Sequence, residues 1–235
     1  MFKLISVVVV SVILITNSYA EKALSVEEIK IPNSLKLLPE PPTANSIGFL
    51  NDKAISESAL KGRKDSERYE QAIIDTGYSA NSLAKNFSKS FGYNISKENT
   101  PIIYSLIDLA TKVSSKATAD AKKEHKRIRP FVYYNKQTCN PAEEKHLGKF
   151  ASYPSGHTTE GWAIALMLAE INPNHQEQIL KKGYEFGQSR VVCGAHWPSD
   201  VQAGYIVGST VFSALNANDQ FRQLIIQAKK EISSK

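Results

Sequence analysis

Little in this chain suits a metal ion or a bilayer. Its five histidines and two cysteines never fall at His-x3-His or Cys-x2-Cys spacing, the patterns that let one local segment supply two zinc ligands, so no metal and no cofactor are expected. Beyond the first fifteen residues, no apolar run reaches the roughly 20 residues that a spanning helix needs. The greasiest, Ala163 to Ala169, is flanked by Glu160 and Glu170. Repeats and low-complexity blocks are absent, and few segments alternate at period two, which argues against a sheet. The formal charge is only +6, with lysines scattered along the chain. That excess does not indicate nucleic-acid binding, whereas a few cations meeting in one pocket would favour a small anion.

The amino terminus has a different character. A single Lys3 precedes an almost unbroken apolar run from Leu4 to Ile15, then polar Thr16, Asn17 and Ser18, then Tyr19-Ala20. This pattern predicts a secretory signal peptide over residues 1–20, cleaved after Ala20. The remaining 215 residues suit one domain with a substantial core, free of the membrane once the signal is removed. In an exported chain, two cysteines with none left over favour one disulfide, Cys139 to Cys193.

Residues 21–45 form a lead-in in which Pro32, Pro39, Pro41 and Pro42 discourage regular structure. From residue 46 to 235 the patterning is that of a single all-α domain. Apolar residues recur at three- and four-residue intervals over Phe49 to Lys61, Ser66 to Thr76 and Asn81 to Phe91. Thr100 as cap and Pro101 at the first position open a long helix toward Lys126. Arg129 to Tyr153 then reads as a long loop, with Pro130, Asn135, Asn140-Pro141 and Gly148, and such loops are usually functional or disordered. Further helices are expected from about His157 to Ile171, from Asn174 toward Gln188, from Pro198 to about Leu215, and after a capping Asn218.

Three short segments carry the chemistry: Lys122 with Arg129-Pro130, Pro154-Ser155-Gly156-His157, and Ser189-Arg190 with His196 and Asp200. Pro154 to His157 stands where loop becomes helix, and a helix N-terminus offers unpaired N–H groups and a positive dipole end to phosphate. Gly156 would let backbone approach the anion; Ser155 could equally be a plain helix cap. Arg129 and Arg190 can each chelate two phosphate oxygens, and Lys122 shares a face with Arg129 if helix persists between them. Pro198 is acceptable only in a first helical turn, so His196 should precede the helix and Asp200 lie just inside it. Asp200 could then accept from the imidazole Nδ1–H and leave Nε2 free to attack. It could also simply complement the helix dipole. His125, among Lys122, Lys123, Lys126 and Arg127, reads as part of a solvated face, and His146 and His175 show no partner pattern.

Taken together, the three segments resemble the signature of the superfamily that holds acid phosphatases, type 2 phosphatidic acid phosphatases and vanadium haloperoxidases. Phe49 to Ala54, Arg127 to Phe131, Thr138 to Asn140, Ala169 to Pro173, and Cys193-Gly194 with His196-Trp197 are similar to the bacterial class A non-specific acid phosphatases. The class octapeptide Gly-Ser-Tyr-Pro-Ser-Gly-His-Thr appears here as Ala151 to Thr158, with Ala in place of the first Gly. The resemblance covers most of residues 35–230 and implies a single helical domain in the periplasm. It implies a metal-independent enzyme acting on nucleotides, sugar phosphates and aryl phosphates, in some members with phosphotransferase or apyrase activity. His196 would form a phosphohistidine, Asp200 would orient it, and His157 would serve the leaving group and then water. Lys122, Arg129, Ser155, Gly156 and Arg190 would hold phosphate oxygens. A haloperoxidase with His196 on vanadate, and a phosphate-binding protein without catalysis, stay open at this level, as does assembly into a homo-oligomer.

Overall fold

The computed structural model describes residues 24–63 and 66–233, so the expected signal peptide at 1–20 lies outside the described residues. Among these residues there is no strand, and the chain is all-α. Its helices are α1 (Ser34–Leu37), α2 (Ile47–Lys61), α3 (Glu67–Ile74), α4 (Ala80–Phe91), α5 (Pro101–His125), α6 (Pro130–Tyr133), α7 (Gly156–Ile171), α8 (Gln176–Cys193), α9 (Pro198–Asn216) and α10 (Asp219–Ser233).

Most starts and stops follow from the caps. Ser46, Ser66 and Ser79 each accept a hydrogen bond from the third helical N–H of α2, α3 and α4, satisfying one of the donors a helix start leaves open. Asn218 does the same for Phe221 N–H at the head of α10. α5 does begin at Pro101, but Thr100 does not cap it. The Thr100 hydroxyl instead accepts from Ser96 N–H.

Three stretches depart from the sequence expectation. The lead-in contains a 3-10 turn at Val26–Glu28 and the single turn α1. The long loop is broken by α6 and by a 3-10 turn at Pro141–His146, both started by a proline at the first position; units of four and six residues are too short to show a period. α8 runs to Cys193, well past Gln188. Its final residues include the β-branched Val191 and Val192, whose weak helix preference is overridden by burial of Arg190, Val191 and Cys193. Gly194, at φ +73°, ends it in the left-handed conformation with its N–H turned back to Arg190 and Val191 carbonyls.

α7 is the central helix and packs on α8, α9 and α5. Glycines let its neighbours approach closely. A Cβ added at Gly183 of α8 would stand 2.3 Å from Ala165 Cβ, and one at Gly208 of α9 would stand 2.8 Å from Thr159 O. Around α7 the core gathers Leu83, Phe87, Ile103, Ile107, Ile164, Leu168, Phe186 and Val211. No helix of the described residues is long and apolar enough to cross a membrane. The ends of α5, α7, α8 and α9 that meet beside the Arg127–Ser155 segment carry the residues singled out above.

Candidate active site

Four pieces of chain bring the cations together. Lys122 lies in the last turn of α5. Helix does not persist from Lys122 to Arg129: α5 stops at His125, close to its expected end, and Lys126 turns into the left-handed region at φ 44°. Arg129 arrives instead at the head of α6. The two side chains still converge, because both donate to the carbonyl of Ala151, Lys122 Nζ at 3.0 Å and Arg129 Nη2 at 2.9 Å. Lys122 Nζ also donates to Pro154 O at 2.5 Å, leaving one of its three N–H donors for a ligand. Since the contact at residue 151 is made by backbone, alanine serves there as well as glycine.

Arg190 is the most telling of these groups. It is 1% exposed, and its Nε and Nη1 have no hydrogen-bond partner. A buried guanidinium with idle donors is costly unless an anion meets it. Burial depresses all three cations, and Arg129 adds to it for the other two: Lys122 is pushed down to about 7, and Arg129 and Arg190 to about 10, foremost by desolvation. A bound dianion would reverse each of these penalties.

Ser155 caps α7, as its bland reading held: its Oγ accepts from Thr158 N–H and from Thr158 Oγ1–H. The Ser155 hydroxyl proton is therefore free to be donated elsewhere. Thr159 N–H goes to Ser155 O, so the first-turn donors left to a ligand are the N–H groups of Gly156 and His157. A Cβ at Gly156 would lie 3.7 Å from Lys122 Cε, which sets this turn directly against the lysine. The Tyr153–Pro154 peptide that leads into it is cis.

The two imidazoles sit in distinct hydrogen-bond settings that fix their tautomers. His196 Nε2 lies 2.7 Å from Arg129 Nη1. A guanidinium only donates, so Nε2 carries the lone pair and the neutral ring has its proton on Nδ1. Asp200 Oδ2 is 3.5 Å from Nδ1, an approach longer than a good hydrogen bond, and Nδ1 has no closer partner. Sequence reasoning placed Asp200 beside His196 correctly but missed the competitors for its oxygens. Asp200 accepts from Arg127 Nη1 at 2.6 Å, Ser152 Oγ at 2.5 Å and Trp197 N–H at 2.8 Å. His157 Nε2 lies 3.0 Å from Thr76 O; a carbonyl only accepts, so this nitrogen carries the proton and Nδ1 is the atom free to exchange one. Its ring is flanked by Tyr78 at 5.5 Å and Phe186 at 6.4 Å. Burial, followed by the nearby Arg190 for His157 and Arg129 for His196, holds both rings well below the usual imidazole range.

Several supporting residues had no signal in spacing alone. Arg127, noted only as part of the Arg127 to Phe131 segment, is buried and bridges Asp52 (2.7 Å) and Asp200 (2.6 Å). Asp52 in turn accepts from Ser199 N–H at 2.9 Å, tying α2 to the start of α9; the Phe49 to Ala54 segment was the trace it left in the sequence. His125 is also not solvated: it pairs with Glu40 at 3.2 Å, its side chain 7% exposed. Ser189 faces away from the cations and donates to Asp75 at 2.6 Å, fixing the end of α3 and hence the Thr76 carbonyl that meets His157. Cys139 and Cys193 form a disulfide, with Cα atoms 4.6 Å apart, beside the Gly194 turn that leads to His196. Glu160, buried in α7, was read only as a charge flanking an apolar run. Among the described residues, no cluster of His, Cys, Asp and Glu could hold a metal ion.

Known proteins resemble this chain. The model of the PAP2 superfamily matches residues 103–223, a span that includes every cation and histidine just described. A non-specific acid phosphatase of Providencia stuartii is 47% identical over 204 residues, covering 86% of this chain and 81% of its own. One from Salmonella typhimurium is 40% identical over 206 residues, with the same shares. An acid phosphatase of Zymomonas mobilis is 39% identical over 199 residues, covering 84% and 74%. Among solved structures, a transmembrane PAP2-type phosphatidylglycerolphosphate phosphatase from Bacillus subtilis superposes with a TM-score of 0.51 at 20% identity, over 75% of this chain and 88% of that one; this is a likeness of fold alone. The chain belongs to the PAP2 superfamily and, within it, to the non-specific acid phosphatases.

Proposed function

We propose that this acid phosphatase hydrolyses a broad range of phosphate monoesters through a phosphohistidine on His196, without a metal ion. The observation that carries the reading is the buried, unpartnered guanidinium of Arg190 facing a site that also holds Lys122, Arg129 and a His196 lone pair. Phosphoryl transfer is mostly positioning and charge stabilisation, and here cations occupy the positions where a metal would otherwise neutralise oxygens. A metal ion would be repelled by them.

The groups divide the work as follows. Lys122, Arg129, Arg190, the Ser155 hydroxyl and the Gly156 and His157 N–H groups hold the non-bridging oxygens. An arriving phosphate competes with His196 for Arg129, and the released Nε2 lone pair attacks phosphorus. The P–N bond forms as the ester P–O bond breaks, and the leaving oxygen takes the proton from Nδ1 of protonated His157. Asp200 steadies the charge that appears at His196 Nδ1–H. Water then gives its proton to His157 and its oxygen to phosphorus, and the P–N pair returns to Nε2. One imidazole must be neutral and the other protonated. The depressed His196 meets the first need at any pH above mildly acid, and the dianion supplies the field that protonates His157.

Nucleotides, sugar phosphates and aryl phosphates all present the same phosphoryl head, and a transfer to alcohols would need only that an alcohol replace water. The signal-like residues 1–20 and the Cys139–Cys193 disulfide support export to an oxidising compartment, the periplasm. The test is turnover of a panel of monoesters by the purified mature chain after exhaustive chelation. Full activity is expected; activity abolished by chelator and restored by zinc or magnesium would overturn the reading.

A further inference from the structure

Glu160 is a buried carboxyl that the mechanism above does not use. It lies four residues after Gly156 on α7, hence on the same helix face, and that face is turned to Lys122: a Cβ at Gly156 would sit 4.0 Å from Lys122 Nζ. Glu160 is 7% exposed, and its Oε2 has no hydrogen-bond partner. The charges that act on it are Lys122 from α5 and Arg190 from α8, two of the three cations assigned to phosphate. Asp200 from α9 and Arg129 act in turn on Lys122. The other helices packed on α7, α4 and α10, bury apolar side chains such as Phe87 and Phe221.

We propose that Glu160 is a positioning residue that couples phosphate binding to a proton: its carboxyl stays neutral while a phosphate group occupies the pocket, and its ionisation in the empty pocket offsets the Arg190 charge and weakens binding. This inference rests on the phosphate site assigned above. The physical basis is competition between two anions for one set of cations, because like charges held close in a buried site cannot both persist. Burial pushes the Glu160 carboxyl up to about 8, against the pull of Lys122 and Arg190. A dianion in the pocket raises it further. Above pH 8, phosphate can therefore bind only as Glu160 takes up a proton, and this single group should weaken binding by about tenfold between pH 7 and pH 9.

The test is the competitive inhibition constant of inorganic phosphate against p-nitrophenyl phosphate from pH 6 to 9.5, for the wild-type chain, Glu160→Gln and Glu160→Leu. The second ionisation of phosphate runs in all three, so the wild-type to variant ratio reports the carboxyl together with its effect on the Lys122 titration. A ratio that climbs about tenfold from pH 7 to 9, with its midpoint near 8, is expected. A flat ratio, or equal loss of phosphate binding by the variants at every pH, would overturn the inference while leaving the phosphatase site intact. Phosphate that fails to compete with substrate at any pH would instead overturn the site itself. Calorimetry with inorganic phosphate at pH 9, in two buffers of different ionisation enthalpy, counts the protons directly. The wild type should take up about one proton more than Glu160→Gln measured in the same way, because Lys122 and His157 take up theirs in both; equal uptake by the two proteins contradicts the inference.

Discussion

At the residue scale, the site is built from groups that are uncomfortable without a ligand. Arg190 is buried with idle donors, and neither His196 Nδ1 nor Glu160 Oε2 makes a hydrogen bond. Such groups are tolerated when function requires them. Replacing Arg190 by methionine removes the buried cation and keeps most of its volume. Arg190→Met should therefore lower kcat/KM by about 10²–10³-fold, the usual loss for a transition-state charge donor, while the melting temperature holds or rises. Activity within tenfold of wild type would show that Arg190 does not hold the phosphoryl group. The sequence could name this arginine, because its spacing to His196 and Asp200 is carried by one turn of chain. Arg127 was visible only inside a family segment and without a role, because its partners Asp52 and Asp200 lie 75 and 73 residues away; pairing at that range leaves no local pattern.

At the element scale, long periodic helices were legible and short ones were not. α2, α4, α5, α7, α9 and α10 appear within a few residues of their expected bounds, since capping serines, Pro101, Pro198 and Asn218 mark them. α6 is four residues long, and α8 reaches Cys193 through β-branched residues held by packing rather than preference. That last extension matters to function, because it sets Arg190, the disulfide and the Gly194 turn in one rigid end that delivers His196. Cys139 N–H also donates to Cys193 O at 3.0 Å, so the α8 end is joined to the 134–140 segment by backbone as well as sulfur. Closing a loop across 54 residues should contribute about 4 kcal/mol on the chain-entropy model. Replacing both cysteines by alanine should lower unfolding stability by that order and raise KM more than it lowers kcat, measured by denaturant titration and steady-state kinetics. An unchanged midpoint would show that the bridge does not hold this end in place.

At the scale of the whole molecule, the buried ionisable cluster sets the pH range in which the fold is most stable. His157 and His196 are held well below the ordinary imidazole value of about 6.5. Below that pH the unfolded chain binds two protons that the folded chain refuses, so stability falls as pH falls. Glu160 acts in the opposite sense: with its carboxyl raised to about 8, the folded chain holds a proton that the unfolded chain releases above its ordinary value of about 4.3. From about pH 6.5 down to where the depressed imidazoles begin to take up protons, two imidazoles outweigh one carboxyl. Unfolding stability of the ligand-free protein should therefore climb across that window with a net slope near one proton. When His157 and His196 are both replaced by asparagine, only the Glu160 carboxyl remains and the trend should reverse, stability falling as pH rises. Inorganic phosphate, by favouring the protonated imidazole, should steepen the gain from ligand at the acid end.

The family assignment, the tautomer imposed on His196 by Arg129 and the orientation of the cations all bear on one claim, that His196 Nε2 takes the phosphoryl group. The most direct measurement is to mix the wild-type chain with an ester carrying labelled phosphate and quench within the first turnover in alkaline denaturant. The labelled peptide is then mapped, since a phosphoramidate survives base and is lost in acid. Label on the peptide containing His196, absent in His196→Ala, is the predicted result. Label on any other residue, or a phosphoenzyme that still forms in His196→Ala, would contradict the account.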